Sequence, residues 1–139
     1  MTIREKNPAA PPATESRLPL VLDIYARVLS GALMILGLRQ WAVILGIIGS
    51  GGGMFETMTA PWQVATMHIA VVDLVASVGL WLRVAWGNVV WVYAALSEIA
   101  LYTVFQSTFG LDIPIVAFHA ITLVGFLVLF FLGRRAGSV

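Results

Sequence analysis

Four long apolar stretches, separated by short polar or glycine-containing segments, dominate the chain. They cover about residues 21–48, 62–82, 88–109 and 113–132. A helix needs roughly 20 apolar residues to cross the ~30 Å hydrocarbon core of a membrane. The pattern therefore predicts an all-α polytopic membrane protein, folded as an antiparallel four-helix transmembrane bundle.

The segments between the stretches contain signals that end and start helices. Consecutive glycines in residues 50–53 disfavour a helix and end the first stretch. Pro61 suits the first turn of the second span. The segment 83–88 leaves room only for a tight hairpin, and Gly110 ends the third span. Asp112 then offers an N-cap for the fourth.

All but one of the 8 basic residues fall on the same side of this topology. The loops at 50–61 and 107–113 contain no Lys or Arg. Because cytoplasmic segments carry an excess of Lys and Arg, both termini and the hairpin are expected in the cytoplasm. The basic residues on that side are Arg4, Lys6, Arg17, Arg27, Arg83, Arg134 and Arg135.

Residues 1–19 are polar and rich in proline and alanine, which predicts a flexible cytoplasmic tail. The tail does not resemble a cleavable signal, because the apolar stretch after it contains Asp23 and Arg27 and is too long. Residues 136–139 form a second short tail after the transmembrane domain at 20–135.

Composition narrows the classes of partner and chemistry. Hydrophobic residues make up 60% of the 139 residues and charged residues 11%, whereas about a quarter are charged in soluble domains. The absence of cysteine excludes disulfides and thiol chemistry. No basic run is long enough for nucleic acid. The expected partners are membrane lipids and either other membrane-protein subunits or a second copy of the chain.

Three ionisable residues interrupt the apolar stretches: Arg39, Asp73 and Glu98. Each costs roughly 2.5–3.5 kcal/mol at the centre of a membrane helix, so they require a common explanation. From the helical rise, all three fall near the middle of the bilayer. We therefore expect Arg39 to pair with one or both carboxylates and lock three helices together. Two carboxylates against one arginine leave a surplus negative charge, which also suits a proton relay or a small-ion site.

Other polar residues extend this predicted cluster. Tyr102 follows Glu98 by four residues and shares its helix face. His68 and His119 lie at one depth on two helices, so they offer a pair of axial haem ligands as a further hypothesis. His68 and Asp73 are about 140° apart around their helix, so no metal site is predicted.

The stretch Gly79-Leu-Trp-Leu-Arg-Val-Ala-Trp-Gly87, followed by Trp91, Glu98 and Tyr102, resembles a family of short four-span bacterial inner-membrane proteins. That family is a domain of unknown function, and the resemblance covers most of the chain after residue 20. It implies a multi-pass protein of the bacterial cytoplasmic membrane, but no activity. A likeness to small four-span proteins of the DoxX type extends only to size and layout.

The leading expectation is a non-enzymatic accessory or scaffold subunit, held together by the cluster of Arg39, Asp73 and Glu98. The alternative is a transport or proton-relay component that uses Asp73 and Glu98. A haem-binding subunit that uses His68 and His119 is the third hypothesis. No catalytic residue, metal or other cofactor is predicted.

Overall fold

The computed structural model describes residues 17–136, which fold into helices and short connecting segments. The predicted all-α fold is confirmed. The long helices are α1 (Leu18–Ile44), α2 (Ala60–Trp81), α3 (Ala85–Thr103) and α5 (Ile113–Ala136); α4 (Gln106–Phe109) and a 3-10 turn (Phe55–Thr57) are short. The last two residues of the predicted tail belong to α1. Residues 1–16 and 137–139, which include the rest of that tail, lie outside the described residues.

Within residues 17–136, three helices (α1, α2 and α5) are long and apolar enough to cross a membrane. The third predicted span, 88–109, does not form one continuous helix. The N–H groups of Val104 and Phe105 both donate to the carbonyl of Ala100, and the chain bends before α4 begins. α3 is therefore 19 residues long, and Glu98 and other polar residues lower its hydropathy.

The helices pack in a ring in which α1 and α2 share the most extensive contact. α3 lies between α2 and α5, and α5 touches α1 only lightly. Small residues permit the closest approaches, as expected for helices that pack inside a membrane. A Cβ atom added to Gly37 of α1 would lie 2.9 Å from the Leu74 side chain of α2. This contact fixes the rotation of α1 about its axis.

The turn between α2 and α3 is built on two glycines in backbone contact. A Cβ atom on Gly87 would lie 2.3 Å from the carbonyl carbon of Gly79, and one on Gly79 would lie 2.5 Å from the Gly87 Cα atom. Arg83 makes the reversal with a φ of 58°, in the left-handed region. The close approach brings the buried faces of α2 and α3 together along their length.

Gly87→Ala is expected to destabilise the protein, since its methyl group would meet backbone atoms that cannot rotate away. The loss should be about 3 kcal/mol, the upper part of the usual range for overpacking. Unfolding in detergent, followed by circular dichroism, measures it. Gly31→Ala is the matched control, because nothing lies within 4 Å of the added Cβ atom. Equal stability of both variants would contradict the packing described here.

The two ends of the bundle differ in charge and structure. The basic end contains the start of α1, the turn between α2 and α3, and the end of α5, where Leu18 approaches Gly133. The opposite end, here called the loop end, contains residues 45–59 and 104–112. There the Trp62 indole N–H donates to the Thr108 carbonyl at 3.2 Å, which joins the start of α2 to α4.

A network of charged side chains holds the basic end. Arg83 donates to the carbonyl of Leu22 at 2.8 Å and lies 3.8 Å from the carboxylate of Asp23. Asp23 also accepts from Arg27 at 3.1 Å, and the Arg27 guanidinium lies over the Trp81 ring at 4.8 Å. The network ties the turn between α2 and α3 to α1.

Candidate functional site

Three titratable side chains from three helices meet in the interior of the bundle. Asp73 of α2 and His119 of α5 have no exposed surface, and Glu98 of α3 is 3% exposed. Within the described part of α5, His119 is the only fully buried side chain. A helix that is otherwise apolar thus contributes one polar group to the interior. We call these three residues the interior cluster.

The closest contact of the interior cluster joins α3 to α5. The Nε2 atom of His119 lies 3.1 Å from the Oε1 atom of Glu98. The approach is off the axis of a good hydrogen bond, and Nδ1 of His119 also lacks a hydrogen-bond partner among the described residues. The imidazole of His119 therefore touches Glu98 but is not held by a hydrogen bond of good geometry.

Asp73 faces Glu98 closely enough for their carboxyl groups to interact directly. Within residues 17–136, neither oxygen of Asp73 accepts a hydrogen bond. Two ionised carboxylates offer acceptors but no donor, whereas a single proton between them supplies one. A hydrogen bond between the two carboxyl groups therefore requires a proton on one of them.

The predicted pairing of Arg39 with Asp73 and Glu98 is wrong. Arg39 is exposed, and no carboxylate oxygen of the described residues lies within ion-pair distance of it. The cause is the rotation of α1: Gly37 packs against Leu74, and a residue two positions further points about 200° away. The interior cluster is accordingly two acids and a histidine, without the predicted cation.

Arg39 instead lines a polar cavity of about 240 Å³ at the loop end, together with Tyr102 and Asp112. Asp112 also accepts the backbone N–H of Ile115 at 3.2 Å, as expected of its predicted N-cap position. Tyr102 lies one turn beyond Glu98 on α3 and experiences the charges of Glu98, Asp73, Asp112 and Arg39. Tyr102 therefore lies between the interior cluster and the cavity.

Two serines continue the polar line toward the basic end. The hydroxyl of Ser30 in α1 donates to the carbonyl of Ser77 in α2, and the hydroxyl of Ser77 donates to the carbonyl of Ser30, both at 2.8 Å. Ser77 lies one helical turn beyond Asp73, on the same buried face. The interior thus contains polar groups at successive levels from the loop-end cavity to this serine pair.

The two histidines do not share a site. His68 is only partly buried, and its ring meets that of Tyr93 edge-on with centroids 5.6 Å apart. His119 contacts Glu98 instead. Glu98 lies five residues after Tyr93 and about 140° away from it around α3. The arrangement does not fit axial ligation of one haem by both histidines. Within the described residues, no group of three or more His, Asp or Glu side chains could hold a metal ion.

Sequence reasoning missed the pairing of His119 with Glu98 and the reciprocal bonds between Ser30 and Ser77. Ser77 follows Asp73 by four residues and shares its helix face, but nothing in the sequence points to the partner of Ser77 on α1. The indole N–H of Trp91, which lies on the same α3 face as Glu98 and has no hydrogen-bond acceptor among residues 17–136, was also missed.

Comparison with known proteins identifies a family but no activity. No curated protein and no solved structure matches the chain. A family model described as a family of unknown function (DUF6163) matches residues 20–136, which is most of the chain. The expectation of an uncharacterised family is thereby confirmed. Three helices of the described residues are long and apolar enough to cross a membrane. Because the family model covers most of its length, the chain belongs to the DUF6163 family.

Proposed function

We propose that this protein is a small four-span component of the bacterial inner membrane that moves protons through its interior. Asp73, Glu98 and His119 are the proton-exchanging groups. The observation that supports this function is the interior cluster itself: two buried carboxyl groups and an imidazole, with no Lys or Arg of the described residues paired to them. Ionisable residues inside a membrane bundle typically mark proton or ion pathways.

The order of polar groups along the bundle supports a route for the proton. Protons enter from the loop-end cavity, which is lined by Tyr102, one helical turn from Glu98. They pass among Glu98, His119 and Asp73, and reach the level of Ser77 on the buried face of α2. Hydroxyl groups both donate and accept, so Tyr102 and the serines can pass a proton onward.

Four crossings follow if α3 also spans the bilayer. Its 19 residues make a helix of about 28 Å, close to the ~30 Å core, and Glu98 faces the bundle rather than lipid. The excess of arginine at the basic end supports a cytoplasmic location for that end and for both termini. The loop end then faces the periplasm.

Reconstituted vesicles test the proposed function. Purified protein is placed in liposomes that enclose a pH-sensitive dye, and a membrane potential is imposed with potassium and valinomycin. Proton entry above that of protein-free liposomes is the expected result, and Asp73→Asn should reduce it to the protein-free level. Wild-type vesicles as tight as protein-free ones under both polarities of the potential would overturn the proposal.

Tyr102→Phe is expected to slow proton entry by about tenfold, below the usual range for a positioned proton-transfer group, since water can partly replace the hydroxyl. The same liposome assay measures it. Tyr93→Phe is the matched control, because Tyr93 is 54% exposed and its ring contacts His68 outside the interior cluster. Identical rates for the two variants would remove Tyr102 from the route.

A non-enzymatic accessory or scaffold subunit is the second candidate, and the exposure of α5 favours it. Apolar side chains such as Ile121, Val124 and Phe131 are more than half exposed, so α5 presents an apolar face to another membrane protein or a second copy. Mass measurement of the protein extracted from its own membranes in mild detergent tests this candidate. A particle that contains only one copy of this chain would contradict it.

A further inference from the structure

A second cavity, of about 400 Å³, lies at the basic end and is separate from the interior cluster. It lies beside Tyr25 of α1, whose hydroxyl donates to the carbonyl of Thr122 in α5. Leu29, Trp91 and Phe126 are among the mostly apolar side chains that line it. The volume lies within the range of ~300–1,000 Å³ that is typical of small-molecule sites.

Two arginines, Arg83 and Arg134, also line this cavity. Arg83 keeps 41% of its side chain exposed, and it shares the single carboxylate of Asp23 with Arg27. Arg134 lies over the ring of Phe130 at 5.6 Å, and no carboxylate of the described residues pairs with it. The cavity therefore combines apolar walls with a surplus of positive charge at the level of the membrane surface.

We propose that this cavity binds one anionic phospholipid. An acyl chain occupies the apolar space beside Trp91, and the phosphate lies between Arg83 and Arg134. An anionic headgroup matches the surplus charge, since each arginine near the surface contributes about 1 kcal/mol to such binding. Free phosphate would gain nothing from the apolar walls. The inference does not depend on proton movement, because none of these residues belongs to the interior cluster.

Binding of phosphatidylglycerol to the intact protein in detergent, measured by native mass spectrometry, tests the headgroup. Phosphatidylglycerol should bind at least tenfold more tightly than phosphatidylcholine, and millimolar inorganic phosphate should not displace it. Arg134→Gln and Arg83→Asn should each weaken binding about fivefold. Asparagine tolerates the left-handed conformation at position 83. If Arg83→Asn fails to fold, Arg134→Gln still tests the headgroup site.

Ala26→Phe tests the acyl-chain site, because Ala26 lines the cavity and the added ring would fill it. Phosphatidylglycerol binding should fall at least tenfold. Ile35→Phe is the control on the same helix, since Ile35 is 69% exposed. Equal binding of phosphatidylglycerol and phosphatidylcholine, or displacement by inorganic phosphate, would overturn the proposal. The proposal would also be overturned if the two single variants, Ala26→Phe and Arg134→Gln, both bound phosphatidylglycerol as tightly as the wild type.

Discussion

Glu98→Gln is expected to reduce proton entry into protein-containing liposomes on the order of 10²-fold, within the range for loss of a positioned proton-transfer group. Glutamine has nearly the same shape as glutamate and keeps a hydrogen-bonding group beside His119. It cannot take up and release a proton. Glu98 is also the residue at which the proposed route meets both His119 and Asp73, so no bypass remains within the interior cluster.

The control for this experiment is Glu56→Gln. Glu56 is an exposed acid in the 3-10 turn at the loop end, away from the interior cluster. Glu56→Gln makes the same chemical change as Glu98→Gln at a site outside the proposed route. Its rate of proton entry should therefore equal that of the wild type. Both variants should retain the wild-type helical circular dichroism. If Glu98→Gln conducts protons as fast as Glu56→Gln, Glu98 is not a proton carrier.

His119→Leu is expected to destabilise the protein by about 2 kcal/mol, within the range for a buried polar group left without a polar neighbour. The substitution preserves approximate volume but leaves the Glu98 carboxyl without its only close polar neighbour on α5. It also removes the one fully buried side chain by which the described part of α5 is anchored. Urea unfolding in detergent, followed by tryptophan fluorescence, measures the free energy of unfolding.

A double variant separates the loss of the pair from the loss of packing. Glu98→Leu combined with His119→Leu should recover most of the lost stability, because an apolar pair leaves no buried group unpaired. His68→Leu is the matched histidine control, and its edge-on contact with Tyr93 accounts for no more than about 1 kcal/mol. If His68→Leu and His119→Leu lowered the free energy of unfolding equally, the contact between His119 and Glu98 would not contribute to stability.

Much of the fold follows from the hydrophobic pattern, because apolar stretches of membrane length leave few alternatives to helices. The acids of the interior cluster are visible for the same reason, since Asp73 and Glu98 contrast with their apolar neighbours. The bend after Thr103 was not predicted. Val104 and Phe105 continue the apolar stretch without a glycine or proline, and only the hydrogen bonds to the Ala100 carbonyl show where α3 ends.

The composition of the interior cluster was harder to predict, because depth along a helix does not give rotation about it. Arg39 has the depth of the two acids but is turned away by the contact between Gly37 and Leu74. His68 and His119 share a depth, and only the position of α5 beside α3 brings His119 to Glu98. Such pairings depend on how the helices pack and rotate against one another, which cannot be predicted from the pattern of a single sequence.

Infrared spectroscopy of the protein in lipid, recorded through a pH titration, tests the central claim most directly. A protonated carboxyl group has a C=O stretching band that an ionised carboxylate lacks. The interior cluster predicts such a band at neutral pH, shifted in heavy water and lost in both Asp73→Asn and Glu98→Gln but retained in Glu56→Gln. A spectrum without this band, or one in which neither Asp73→Asn nor Glu98→Gln changes it, would contradict a shared proton at Asp73 and Glu98.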